Sequence, residues 1–96
     1  MFSWDVRKAL VNYEKHAVAF EEAATVFVDP AGLDWADAAH SAYERRHKRL
    51  GRSVAGRILL LVYTVKRTPH GQETIRIISA RQASRKERKA YAGPPH

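Results

Sequence analysis

The 96-residue chain contains no cysteine, which excludes disulfides and thiolate metal sites and fits a reducing compartment. It also lacks long apolar runs. The longest, Ile58 to Tyr63, spans six residues, against the roughly 20 that a membrane-crossing helix needs. The amino terminus, MFSWDVRKAL, meets Asp5 before any long apolar stretch and so lacks the basic-then-apolar layout of a secretory signal. A cytoplasmic protein without membrane attachment is the expectation. The five histidines (His16, His40, His47, His70 and His96) lack the close pairing with Asp or Glu that a metal-ligand set shows, so neither a metal nor another cofactor is expected. Internal repeats and low-complexity segments are missing too.

A chain that is 45% hydrophobic and 28% charged belongs to the ordinary globular class. Its length suits a single core, so one domain is expected over residues 1–93, followed by a loose tail at 94–96. The net charge of +7 is unevenly spread: residues 1–44 hold three basic and eight acidic residues, whereas 45–96 hold fourteen and two. A basic half of this size suits phosphates, in nucleic acid or at a membrane surface, or an acidic protein, unless it is only a solvated surface.

Periodicity predicts an α+β fold with two N-terminal helices, a small mixed or antiparallel sheet of four to six strands and one C-terminal helix. Phe2 and Trp4 alternate as in a short strand, and Asp5 is placed to cap a helix whose Val6, Ala9, Leu10, Tyr13 and Ala17 form one apolar stripe. Phe20, Ala23, Ala24 and Phe27 continue the helical spacing until Asp29-Pro30 and Gly32 stop it. Leu33 and Trp35 alternate briefly, and residues 37–44 read as an irregular turn. RRHKRLGRS and RILLLVYTV, separated by SVAG, read as a hairpin whose second strand is apolar on both faces. A loop over 66–73 precedes a last strand at 74–80. Ser84 followed three residues later by Glu87 matches a capping box, which starts the final helix near Arg85; Gly93 ends it.

FSWDVRKALVNYEKHAVAFEEAATVFVDP, HSAYERRHKRLGRS, GRILLLVYTV and RIISARQASRKERKAY, in that order, resemble the BrnT family of toxins from type II toxin–antitoxin systems over nearly the whole chain. The resemblance implies a small RelE-like ribonuclease, with helices on one side of its sheet, that cleaves RNA and stops translation and growth. It also implies a cognate BrnA-like, DNA-binding antitoxin that neutralises the toxin in a hetero-oligomer. Three positions depart from the family pattern. Ala17 follows Lys15-His16 where glycine is expected, His47 takes an aromatic place, and the 66–73 loop is longer.

RNA cleavage without a metal needs a base for the ribose 2′-hydroxyl, cations for the charge at phosphorus and an acid for the leaving oxygen. His16 is the candidate base, or else a histidine that ends a helix and bonds a carbonyl. Lys15 is a phosphate contact on the strength of the resemblance, or a solvated helix-end cation. Arg81, at the strand-to-helix junction, is a candidate phosphate contact, or a partner of Glu87 or Glu14. Arg76 shares a strand face with Ile78 and Ala80, opposite Ile75, Ile77 and Ser79, and points into the groove if the odd-numbered face packs the helices. Tyr91 is a candidate proton donor and Tyr63 a base-stacking residue, unless each is a buried tyrosine with one hydroxyl partner. Arg46, Arg49, Arg52 and Arg57 flank the hairpin and would track an RNA backbone, or repel at an exposed edge. Glu87 is assigned to capping, and Glu22 and Asp29 to positioning the early helices. The rival reading is a non-catalytic basic module that binds RNA or the antitoxin and retains the fold.

Overall fold

The computed structural model describes residues 1–40 and 44–93; the expected tail at 94–96 and part of the irregular 37–44 stretch lie outside the described residues. Five strands form one sheet: β1 (Phe2–Ser3), β2 (Leu33–Ala36), β3 (Arg46–Arg52), β4 (Ile58–Arg67) and β5 (Glu73–Gln82), in spatial order β1-β5-β4-β3-β2. β1 runs parallel to β5 and every other neighbouring pair is antiparallel. Helices α1 (Val6–His16) and α2 (Phe20–Ala24) precede β2, and α3 (Arg85–Ala92) follows β5. The α+β architecture and the three helices match the pattern read from the sequence.

β4 is apolar on both faces because both faces are covered. Leu59 and Leu61 meet Val18, Phe20, Ala23, Val26, Ile77 and Ala80 beneath the N-terminal helices. Leu60 points the other way, into a smaller cluster with Leu50 and Ala83 that Ile58 and Tyr91 flank. The helices therefore do not share one side: α3 sits on the opposite face, over one end of the sheet. The hairpin turn forms as expected, with Ser53 and Arg57 bonded through their backbones and Gly56 at φ +83°, a conformation that favours glycine. The 66–73 loop is shorter than expected. The β4–β5 ladder continues through Lys66–Thr74 and Arg67–Glu73, so only residues 68–72 turn. The second helix is also shorter, because Thr25 donates its hydroxyl to the Glu22 carbonyl and the chain tightens into a 3-10 helix at Thr25–Val28.

α1 departs most from its pattern. Asp5 caps it as expected, accepting the Lys8 amide, but the apolar stripe faces outward: Val6, Leu10 and Tyr13 are 69%, 61% and 57% exposed. The buried residue of the helix is Asn12. Its carboxamide accepts the Ala80 N–H (3.0 Å) and donates to the Ala80 and Val18 carbonyls (2.8 and 3.0 Å), so it pairs with the edge of β5 as a neighbouring strand would. Packing at this point is set by hydrogen bonding, and the stripe is left outside. α1 ends at Ala17, whose φ of 55° and ψ of 34° are left-handed, the conformation for which glycine was expected here.

Two stability changes follow. Asn12→Leu strands the Ala80 amide and two carbonyls without partners, and at about 1–3 kcal/mol for each unsatisfied buried group it should lower urea-unfolding stability by roughly 3 kcal/mol or more; a loss below about 1 kcal/mol would contradict the bridging role. Ala17→Gly relieves the left-handed strain and should raise stability by roughly 0.5–1 kcal/mol, the strain of about 1–2 kcal/mol less the greater chain entropy of glycine. No gain in the urea midpoint would show that Ala17 is unstrained.

Candidate nucleic-acid interface

The cations of the basic half divide by strand parity. Arg49 faces the N-terminal helical layer, where it is buried. Its guanidinium donates to the Val26 carbonyl (3.0 Å), the Asp29 carbonyl (2.8 Å) and the Asp34 carboxylate, and it lies 5.3 Å from the centre of the Phe27 ring. Gly32 makes room for it, since a Cβ there would lie 2.3 Å from a guanidinium nitrogen. Arg57 pairs with Glu22 and donates to the Ala17 carbonyl. Arg49 and Arg57 thus hold β2, β3 and the hairpin to the helices, and the groove-lining place expected for them is corrected. Arg52 bonds the Gly56 carbonyl and covers the Tyr91 ring.

Tyr63 is buried on the helical side. Its hydroxyl donates to Asp34 (2.8 Å), and its ring packs edge-on to Phe27 and stacks on His47, which thereby fills the aromatic place. Burial holds the phenol pKa well above its usual value. The Tyr91 hydroxyl donates to Asp29 (2.6 Å), and that bond raises the phenol and lowers the carboxyl. Tyr63 therefore has the buried, one-partner arrangement, whereas Tyr91 is half-buried, with Asp29 as its acceptor and Arg52 over its ring.

The opposite sheet face stays open beyond α3. Across the strands, Arg46 pairs with Thr64, Thr64 with Arg76, and Arg76 with Ser3, so two guanidiniums and two hydroxyls alternate in one row. The next row runs Trp35, Lys48, Val62, Ser79. The Arg76 side chain makes no hydrogen bond or ion pair among the described residues. Thr64 is 1% exposed and its hydroxyl has no partner. This buried, unpaired hydroxyl lies between the two cations in the row, a polar gap beneath the open face.

A bulge creates this face. Between Val62 and Tyr63 the β5 partner jumps from Ser79 to Ile77, leaving Ile78 unpaired. Ile77 and Ala80, three residues apart, therefore both enter the core, and Arg76, Ser79 and Arg81 share the open face. Strict alternation had placed Arg76 with Ala80 and opposite Ser79; the bulge reverses that and strengthens the case for Arg76.

Ser79 also lines a groove of about 320 Å³ between α1 and β5, together with Ile78, Arg7, Val11, Lys15 and His16. Lys15 and His16 close the last turn of α1 beside the strand that carries Arg76 and Arg81. Arg81 itself is held in a two-bond pair by Glu87 (2.8 and 2.9 Å). The capping box is present: Ser84 accepts the Glu87 amide, and Glu87 accepts the Ser84 amide. One carboxylate thus caps α3 and fixes Arg81, and those bonds hold its pKa at about 2, below the usual 4.5. Among the described residues, no three His, Asp or Glu side chains gather as a metal site.

Sequence reading missed Trp35, Lys48, Thr64 and Ser79. Their signal is the period-two pattern of the strands once β4 is taken as the reference, but the bulge hides it for Ser79. With Trp35 as a stacking surface and Arg46, Lys48 and Arg76 as cations, the face suits a single-stranded polyanion. A small α+β domain that leaves one cationic sheet face open is of the class that handles nucleic acid. Residues 4–87 match the sequence model of the family described as "Ribonuclease toxin, BrnT, of type II toxin-antitoxin system", and the chain belongs to that family. It is similar in fold to the crystal structure of the Brucella abortus ribonuclease toxin BrnT, with a TM-score of 0.63 and 23% identity over 88% of this chain and 99% of that one. No curated protein matches the chain. The family implies an RNA substrate and an antitoxin partner, and no helix among the described residues is long and apolar enough to cross a membrane.

The depressed carboxyl gives α3 a defined pH response. Because the folded pKa lies below the unfolded one, the stabilisation by Glu87 is full above about pH 4.5 and disappears as pH falls toward 2. The difference in thermal stability between the native chain and Glu87→Gln should therefore shrink across that window. A difference independent of pH would rule out the ionised carboxylate as the source.

Proposed function

We propose that this chain is a RelE-like, metal-independent endoribonuclease of the cytoplasm, restrained in a hetero-oligomer by a BrnA-like, DNA-binding antitoxin, with its RNA strand lying on the open sheet face. The observation that carries this reading is Arg76, without a partner and beside the unpaired Thr64 hydroxyl, on the strand that borders the Lys15–His16 groove. In the proposed reaction His16 takes the proton of the ribose 2′-hydroxyl, whose oxygen bonds to the adjacent phosphorus. Arg76, with Arg81, neutralises the charge that builds on the phosphoryl oxygens. The P–O5′ bond breaks and Lys15 supplies the proton to the leaving oxygen, giving a 2′,3′-cyclic phosphate and a 5′-hydroxyl. Arg46, Lys48 and Arg52 hold the backbone of the strand, and Tyr91 acts by seating α3. The two-bond Glu87–Arg81 pair favours a second reading, a module that binds RNA without cutting it, because it withdraws one of the two phosphate cations.

Cleavage of RNA in EDTA decides between them. The purified toxin should cut RNA and not DNA, which lacks the 2′-hydroxyl, and should leave cyclic or 3′-phosphate ends. Arg76→Ala should lower kcat/KM roughly 100-fold with the melting temperature unchanged, since it breaks no bond within the fold. Arg49→Ala should instead destabilise the protein, by removing the buried guanidinium's bonds to the Val26 and Asp29 carbonyls and to Asp34 and leaving a cavity in their place. Binding with no cleavage would support the second reading, and cleavage that disappears in EDTA would overturn the metal-independent mechanism.

A further inference from the structure

The outward stripe of α1 forms a second surface, on the other flank of the helix from the RNA groove. Val6, Leu10 and Tyr13, at spacing i, i+4, i+7, wall a groove of about 370 Å³ whose lining includes Trp4, Ala9, Phe20 and Glu21. Exposed apolar anchors at this spacing match those by which one helix seats another chain's amphipathic segment. The charge of this flank is opposite in sign to that of the chain. Glu21 is the charged residue in the lining, and Glu14, one turn beyond Leu10, is exposed and makes no ion pair among the described residues. Arg7, Lys8, Lys15 and His16 line the opposite groove. One helix thus presents an apolar, acid-bordered flank and a basic flank.

We propose that the apolar flank of α1 docks an amphipathic segment of the antitoxin whose apolar residues enter between Val6, Leu10 and Tyr13 and whose Lys or Arg residues meet Glu14 and Glu21. The inference rests on the toxin–antitoxin reading and adds to it the docking surface and the chemistry of the docked segment. A second copy of this chain is a poor occupant. A two-fold contact through α1 would bring Glu14 and Glu21 toward their own copies and join two molecules that each carry +7. Val11, 60% exposed and lining the RNA-side groove, separates this flank from Lys15 and His16 on the same helix, so the docked segment blocks RNA where it extends past Val11.

The test uses the full-length toxin co-expressed with the product of the adjacent reading frame, with Leu10→Glu and Tyr13→Ser as separate variants. Both residues are exposed, so both variants should keep the native melting temperature and RNA cleavage. Each should lose co-purification with the antitoxin and require at least 100-fold more of it for neutralisation. Glu14→Lys combined with Glu21→Lys should weaken the complex about 10-fold, with the largest effect at low salt. Native-strength neutralisation of both apolar variants would overturn the proposal. So would a concentration-dependent dimer of the toxin alone that Leu10→Glu abolishes, because the occupant would then be a second copy. If the native toxin cuts no RNA but binds the antitoxin in a Leu10-dependent way, the ribonuclease reading fails and the docking surface stands.

Discussion

The register of β5 is the constraint on which the site depends. One unpaired residue, Ile78, separates a segment in which odd-numbered residues enter the core from one in which Ala80 does. Asn12 fixes the strand just beyond that point, by bonding both backbone groups of Ala80. A shift of one residue would turn Arg81 toward the core and Ala80 toward solvent, exchanging a small apolar side chain for a charge among Leu61 and Ile77. The bulge and the carboxamide together allow one strand to supply both the hydrophobic layer and the cations of the open face.

What the sequence shows and what it hides follow from the range of the interactions. The Asp5 cap, the Ser84–Glu87 box and the Gly56 turn were legible because each is completed within four residues. The double-sided burial of β4 was legible because its apolar run has no alternation to misread. The exposed stripe of α1 was not, because Asn12 draws the opposite side of the helix inward through bonds to residues 6 and 68 positions away. The roles of the arginines were hidden for the same reason. Arg49 and Arg76 look alike in composition, yet one finds Asp34 and two carbonyls and the other finds no partner among the described residues.

The charge asymmetry acquires a structural meaning from these pairings. Glu22 and Asp34, in the acidic half, meet Arg57 and Arg49, and so fasten the hairpin to the helical layer. Arg67 and Arg81 meet the two acids of the basic half. Several acids of the chain are therefore engaged on the helical side and at the sheet's ends, whereas Arg46, Lys48 and Arg76 share the open face. A positive potential on a single sheet face arises from that sorting, and it suits a ribonuclease whose substrate is a polyanion.

The two tryptophans report on opposite faces, which permits a direct measurement of where RNA lies. Trp4 packs edge-on against Phe20, 6.0 Å away, on the helical side, and Trp35 stands beside Lys48 on the open face. Titration with a 2′-O-methyl RNA oligonucleotide, which lacks the attacking hydroxyl, can be followed by tryptophan fluorescence in Trp4→Phe and Trp35→Phe variants. RNA lying on the open face should give saturable quenching that survives Trp4→Phe and is lost in Trp35→Phe. Quenching that survives Trp35→Phe and is lost in Trp4→Phe would place the RNA on the other side of the sheet and contradict the account.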